Sequence, residues 1–346
     1  MEPTILSLAT GLPDHRHEQM TIHDKWVSPF IHSQRARAIY AAAEIEARYS
    51  VLAEADFLAD EPGTKARNDV YMRAARPLAT EVISQALTQA GLTPTDIDHF
   101  IVTSCTGFDN PGLDVILAAD LGMRPDMRRS ALIGMGCYSG LTSLDRALLE
   151  VSARQSRVLI LALEFCTLHF QHGKKLDDMI AGAIFGDGLA AAVIGLPSEN
   201  AHQPRLLETM TFSDYGYQKL MGFHISDKGY EIRLATKVPQ ILRQILPDVV
   251  TDFLRQTNLN LADIRFWSVH PGGAKIIEHI GQALELEPDK LTHSREVLRR
   301  YGNMSSATIF FVLDEIIRHG RPQRGDYALM LAFGPGLTIE LCLLGW

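Results

Sequence analysis

The chain has 346 residues, 46% of them hydrophobic and 21% charged, which is enough for two core-bearing halves rather than one small domain. Its formal net charge of −8 argues against wrapping a nucleic acid, and no apolar run is long enough to span a bilayer. The start, Met1-Glu2-Pro3-Thr4-Ile5, has no basic stretch ahead of an apolar one, so the expected location is the cytoplasm. Four scattered cysteines, Cys105, Cys137, Cys166 and Cys342, fit neither a zinc site nor a disulfide framework and read as free thiols.

In chain order, residues 5–9 read as a first strand ended by Gly11-Leu12-Pro13, residues 21–49 as helix, and residues 54–65, with Pro62-Gly63, as an exposed loop. Arg35, Arg37 and Arg48 form a charge run that could hold an anionic cofactor but reads first as a solvated helix face. A helix over 70–90 carries Val82, Ile83, Ala86 and Leu87 on one face and stops at Gly91. The runs 97–103 and 158–163 are apolar enough for buried strands. Strands alternating with helices indicate an α/β protein.

Between these strands, Ile133-Gly134-Met135-Gly136-Cys137-Tyr138-Ser139-Gly140 puts a cysteine at a strand-to-helix turn, ahead of the helical pattern Leu141, Leu144 and Leu148. Glycines allow a sharp turn and close substrate approach, and the helix N-terminus favours negative charge. Both should lower the thiol pKa, so Cys137 reads as a nucleophile; the alternative is a small residue in a packing turn.

A period of 167 residues carries Asp96-Ile97 onto Asp263-Ile264, and Val82, Leu87 and Leu92 onto Val249, Leu254 and Leu259. Each half also ends near a glycine turn, Phe185-Gly186-Asp187-Gly188 in one and Phe333-Gly334-Pro335-Gly336 in the other. This implies two duplicated halves meeting near residues 197–212, with a site assembled from both. The second half offers His270, delivered by an apolar strand to Pro271-Gly272-Gly273, and Asn303, which opens a helix and could also be an N-cap. The same period brings Cys137 to position 304, so the two helix N-termini should face each other. His169, His172, His279 and His293 lack such a setting and read as surface or satisfied residues.

The segments Val102-Thr-Ser-Cys-Thr-Gly107, Gly134-Met-Gly-Cys137, Leu163-Glu-Phe-Cys-Thr167, Phe185-Gly-Asp-Gly188, His270-Pro-Gly-Gly273, Gly302-Asn-Met-Ser305 and Phe333-Gly-Pro-Gly336 resemble, in order, the bacterial type III polyketide synthases, relatives of plant chalcone synthase. The resemblance implies a thiolase-like fold of two duplicated αβαβα halves, residues 1–204 with the nucleophile and 205–346 with the histidine and asparagine. It implies decarboxylative condensation of malonyl-coenzyme A with a small acyl-coenzyme A starter, then closure to a small aromatic ring or pyrone, in a homodimer without metal or other cofactor. Cys137 would carry the acyl group, His270 would hold its thiolate as an imidazolium, His270 and Asn303 would form the oxyanion hole, and Phe185 would gate decarboxylation. The cavity would be walled by Cys105, Cys166, His169, Phe223, Ile232, Ser305, Gly272, Gly273 and Pro335, and Arg35 would meet the coenzyme A phosphates.

The chain departs from the family at several points. Asn110-Pro111 stands where relatives have Met-Pro, Ile232 replaces a second phenylalanine, and Ala38 and Ala42 occupy two of the basic positions. Phe223, where plant enzymes have glycine, and His169 narrow the cavity and favour small starters. The competing function, a single condensation of the β-ketoacyl synthase III kind, expects Gln-Ala-Asn after the histidine, and Pro271-Gly272-Gly273 disfavours it. A non-catalytic partner subunit would lack the nucleophile.

Overall fold

The computed structural model describes residues 2–58, 62–173, 175–197 and 202–346. Its frame follows from period-two burial. Every residue of β6 (Val158–Phe165) is buried, but Ile160 and Ala162 join one apolar cluster while Leu159, Leu161 and Leu163 join another. In the second half β12 (Tyr327–Gly334) repeats the pattern, with Ala328, Met330 and Ala332 on the shared cluster and Leu329, Leu331 and Phe333 on a third.

The shared cluster encloses the helices Ser139–Arg154 and Thr308–Glu315, which thus form a middle layer between the two halves of the sheet. Phe310 and Ile309 are at most 1% exposed there, and each such side chain stabilises the fold by about 1.5–3 kcal/mol relative to exposure. The helix Thr64–Ala90 covers one outer face, and Val238–Gln256 with Ala274–Ala283 covers the other. The result is the expected αβαβα layering.

The large sheet also contains β1 (Thr4–Gly11), β4 (His99–Ser104), β5 (Arg128–Ile133), β7 (Asp187–Gly195), β8 (Arg205–Ser213), β11 (Ile264–Val269) and β13 (Thr338–Gly345). Its order is β11-β12-β13-β8-β1-β7-β6-β4-β5, so β4, β6, β7 and β1 are mirrored by β11, β12, β13 and β8 about the centre. Parallel pairs lie at both ends, β4 with β5 and β6, and β11 with β12. The duplication is therefore visible as topology. Only β5 lacks a counterpart among the described residues, and it is an edge strand with four of its six residues exposed.

Two expectations change. Residues 21–49 are not one helix: short helical turns cover Gln19–Ile22 and His23–Val27, and a helix spans Gln34–Ala41 with Ser33 accepting from the Ala36 N–H. Pro29, which has no N–H to give, lies between them, and Glu44 at φ 57° turns the chain into β3 (Ala47–Ser50), paired with β2 (His15–Glu18). In the expected loop 54–65, a helical turn covers Glu54–Leu58, residues 59–61 lie outside the described residues, and the long helix already starts at Thr64. Of the boundary region 197–212, residues 198–201 lie outside the described residues, and β8 begins at Arg205. The stop at Gly91 is as expected, in the left-handed conformation at φ 67°.

Candidate active site

Three chain segments bring the site together where the halves meet. β5 ends at Ile133, and Gly134 to Tyr138 turn the chain into the helix starting at Ser139, which leaves Cys137 beside the helix N-terminus. Gly136 has φ +86°, and a Cβ there would stand 2.5 Å from Cδ of Pro335, so only glycine fits. β11 delivers His270, whose N–H donates to the Leu331 carbonyl at 2.8 Å. The third segment, Gly302 to Ala307, precedes the helix Thr308–Glu315. A Cβ on Gly140 would lie 2.5 Å from the Ser306 carbonyl, so the starts of the two middle-layer helices lie against each other.

Cys137, His270 and Asn303 line one cavity of about 90 Å³ together with Phe185, and Cys105, Cys166, His169, Phe223, Ile232, Ser305, Gly272 and Pro335 also contribute to its wall. A wider chamber of about 450 Å³, hereafter the entrance chamber, adjoins it and shares Ile184, Leu234, Gly272 and Ile276. Gly273 and Arg35 lie there and not at the cavity itself.

The asparagine is held on both ends. Its Oδ1 accepts from the Ser305 N–H at 2.8 Å, an Asx turn rather than a helix cap, since Met304 holds the N-cap of the turn Ser305–Ala307, and its Nδ2 leans toward the Gly272 carbonyl at 3.5 Å. Asn303 is also tied to the gate position, because its N–H donates to the Ile184 carbonyl at 2.8 Å and its own carbonyl accepts from Gly186 at 3.0 Å. Ser305 sits at φ +48°, a conformation that costs a non-glycine residue about 1–3 kcal/mol and recurs at functional sites. Its hydroxyl is 3.2 Å from the Cys105 sulfur.

Burial acts against the charge of each catalytic candidate. It pushes the Cys137 thiol up to about 11, with hydrogen bonds from Ser305 and Asn303 pulling the other way, and it pushes the His270 imidazole down to about 3. The expected imidazolium and low-pKa thiolate are thus not the favoured resting forms, because the apolar surroundings outweigh the helix N-terminus. Neither His270 Nδ1 nor Nε2 has a protein partner, although the ring is fully buried against Phe333 at 5.8 Å. A proton passing from sulfur to imidazole would leave the cavity's net charge unchanged.

Sequence reasoning missed several residues around this cavity. Glu164 lies fully buried behind it, accepting from the Cys105 N–H at 3.0 Å, Thr106 Oγ1 at 2.8 Å and Ser306 Oγ at 2.5 Å, and burial raises its pKa. Arg48 corrects the solvated-face reading. It is 3% exposed, and its guanidinium donates to the Phe185 carbonyl at 2.6 Å and to Gln19 Oε1 at 3.0 Å. Tyr230 is found on the hairpin of β9 (Met221–Ser226) and β10 (Gly229–Leu234), where Phe223 pairs with Ile232. Period two on that hairpin would have put Met221, Tyr230 and Leu234 on the cavity side with them. Lys275 lines the entrance chamber together with Arg35, and neither has a carboxylate within ion-pair distance among the described residues.

His169 proves both buried and satisfied: Nε2–H donates to the Thr106 carbonyl at 2.7 Å, and Nδ1 accepts from the Tyr230 N–H at 3.2 Å. Its pKa is lowered to about 4 by burial. All four cysteines are free, with Cys342 on β13 buried against the middle layer and not lining the cavity. Among the described residues no group of His, Cys, Asp and Glu could hold a metal ion, and no helix is long and apolar enough to cross a membrane.

Comparison with known proteins gives matches along the whole chain. Residues 2–198 match the N-terminal domain of chalcone and stilbene synthases, and residues 211–345 the C-terminal domain. The 1,3,6,8-tetrahydroxynaphthalene synthase of Streptomyces peucetius subsp. caesius is 32% identical, spanning 99% of this chain and 93% of its own. Bisdemethoxycurcumin synthase of Oryza sativa subsp. japonica is also 32% identical, over 82% of this chain and 74% of its own. Among solved structures, 1,3,6,8-tetrahydroxynaphthalene synthase of Streptomyces coelicolor A3(2), a bacterial type III polyketide synthase, superposes with a TM-score of 0.93 at 27% identity over 99% of both chains. PKS-I of the brown alga Ectocarpus siliculosus gives the same TM-score and identity over 99% of this chain and 98% of its own.

Proposed function

The chain belongs to the chalcone and stilbene synthase family and is a type III polyketide synthase, and we propose that it condenses a small acyl starter with malonyl units on Cys137. Cys137 Sγ attacks the thioester carbonyl of an acyl-coenzyme A and passes its proton to the neutral His270, which returns it to the departing coenzyme A sulfur. Malonyl-coenzyme A then loses carbon dioxide beside the apolar ring of Phe185. A ring N–H of His270 and the Asn303 amide hold the enolate oxygen while its carbon attacks the Cys137 thioester. A single preorganised donor of this kind is worth about a hundredfold to a thousandfold in rate.

The observation that carries this reading is the convergence of Cys137, His270 and Asn303, from three separate segments, on one cavity with the His270 nitrogens free. Two parallel rings on the cavity wall, Phe223 and Tyr230 at 5.1 Å, leave little room for long chains and support small starters such as malonyl, acetyl or short acyl groups. Arg35 and Lys275 at the entrance suit the phosphates of coenzyme A, with Lys275 making up for Ala38 and Ala42. Coenzyme A thioesters are intracellular, which assigns the enzyme to the cytoplasm. The bare edge of β5, flanked by Ile133, Phe108 and Leu149, each at least 46% exposed, is the face through which two copies form a homodimer.

Replacement of the two central groups tests the assignment. Cys137→Ala should abolish product yet retain malonyl-coenzyme A decarboxylation, and His270→Ala should lose both. Full product formation by Cys137→Ala would sink the mechanism.

A further inference from the structure

One polar group on the cavity wall has no part in these steps. Tyr230 is only 7% exposed, and its hydroxyl has no hydrogen-bond partner among the described residues. Neighbouring polar groups are engaged elsewhere: the Tyr71 hydroxyl donates to Ser104 at 2.9 Å, and the Cys105 sulfur meets Ser305 at 3.2 Å. Unlike the Tyr40 hydroxyl, which is sealed inside the protein without a partner, the Tyr230 hydroxyl remains open to the cavity it lines and is free to take a partner from outside the protein.

The surroundings dictate how that hydroxyl can be used. Both faces of the Tyr230 ring are covered, by His169 at 4.0 Å and by Phe223 at 5.1 Å, each within 4° of parallel. The ring therefore cannot stack on a substrate, and what remains for a ligand is its edge and its oxygen. The stack is clamped as well, because His169 accepts from the Tyr230 N–H and donates to the Thr106 carbonyl. Burial, followed by the nearby Cys105 thiol, raises the phenol pKa, so the group stays protonated and donates. Cys105, whose sulfur meets the Ser305 hydroxyl at 3.2 Å, lines the same cavity as Tyr230 and the nucleophile Cys137.

We propose that the Tyr230 phenol donates a hydrogen bond to a keto oxygen of the β-polyketone chain tethered on Cys137, and thereby selects the folded form from which the ring closes. The ligand class is a β-dicarbonyl, whose oxygens alternate along the chain and can bridge from the Asn303 and His270 donors to a second donor deeper in the cavity. This rests on the polyketide synthase reading above and adds to it a determinant of product specificity.

The test is Tyr230→Phe, which removes one oxygen and leaves the ring in its stack. Products from malonyl-coenzyme A are separated by mass spectrometry, and the ratio of fully cyclised product to early-released pyrones is taken, so that a change in overall rate cancels. Acyl-Cys137 is followed by intact-protein mass spectrometry in the same samples. The ratio should fall about tenfold, the effect of losing one ordinary neutral hydrogen bond. Tyr230→Leu, which also breaks the stack, should lower it at least as far. An unchanged ratio in Tyr230→Phe overturns the proposal, whether or not Tyr230→Leu shifts it, since the ring and not the hydroxyl would then decide. Failure of Tyr230→Phe to load Cys137 overturns it too, by making the hydroxyl structural. Failure of the unsubstituted enzyme to load Cys137 would instead bring down the polyketide synthase reading itself.

Discussion

Replacing Arg48 by methionine should loosen the gate from behind. Methionine fills similar length without charge or donors, so the Phe185 carbonyl and Gln19 Oε1, which Arg48 now serves at 2.6 and 3.0 Å, would both be stranded in the interior. Each stranded acceptor costs about 1–3 kcal/mol. Part of this is offset because Arg48 Nη2 has no partner and the guanidinium is itself buried at some expense, so the net loss should be about 2–3 kcal/mol. Phe185 and Asn303 share a backbone bridge, so the slack passes to both. Urea unfolding should give the lower stability, and the carbon dioxide released per molecule of product should rise as decarboxylation uncouples from condensation. Arg48→Lys, which keeps the charge but not the forked donor geometry, should fall between. A variant as stable as the parent with the same carbon dioxide ratio would refute the reasoning; lower stability with an unchanged ratio would leave Arg48 a packing residue and refute the link to Phe185.

Other substitutions address the turn, the entrance and the middle layer. Gly136→Ala should lower kcat by at least tenfold, because the new methyl would meet Pro335 at 2.5 Å in a backbone conformation that disfavours side chains; wild-type kcat would show that the turn can give way. Lys275→Glu should raise KM for coenzyme A thioesters while leaving KM for the matching N-acetylcysteamine thioesters, which lack phosphates, unchanged; an equal rise for both would remove Lys275 from phosphate binding. Glu340, whose carboxylate accepts from Thr142 and Thr211, has its pKa raised by burial from 4.5 to about 7. The folded protein therefore keeps a proton that the unfolded chain has lost between these values, and this group's contribution, full below pH 4.5, declines by about 3 kcal/mol as pH rises to 7. Glu340→Gln should flatten the stability profile over that window in urea titrations, and an unaltered slope would place the titration elsewhere.

The parts of the fold that were legible are those in which local pattern and global burial agree. β4 and β6 are apolar on both faces, so they read as buried strands, and the duplicated helix–strand units are seen again in the mirrored sheet order. Residues 21–49 were misread because their apolar spacing is helical only in pieces, and the pairing of β3 with β2 comes from partners distant in sequence. Arg48 illustrates the same limit: nothing local tells that a guanidinium will be enclosed, since its acceptors, Gln19 and the Phe185 carbonyl, are 29 and 137 residues away. The cavity residues were found through resemblance, while Tyr230 had a local signal in the alternation of its hairpin that went unused. The Cys137 pKa was misjudged because the helix N-terminus can be seen in sequence and the extent of desolvation cannot.

The abutting starts of the two middle-layer helices have an electrostatic consequence. Each helix N-terminus acts as roughly half a positive charge, so the fold holds two like poles against each other in an apolar setting. Left vacant, such an arrangement is frustrated: the two halves repel at the very place where packing presses them together. An anion lodged between the poles would relieve this, and on the reaction path proposed above the candidates are the Cys137 thiolate, the malonyl carboxylate and the enolate. The same juxtaposition that opposes docking of the halves thus makes each negatively charged species on the reaction path a temporary mortar between them.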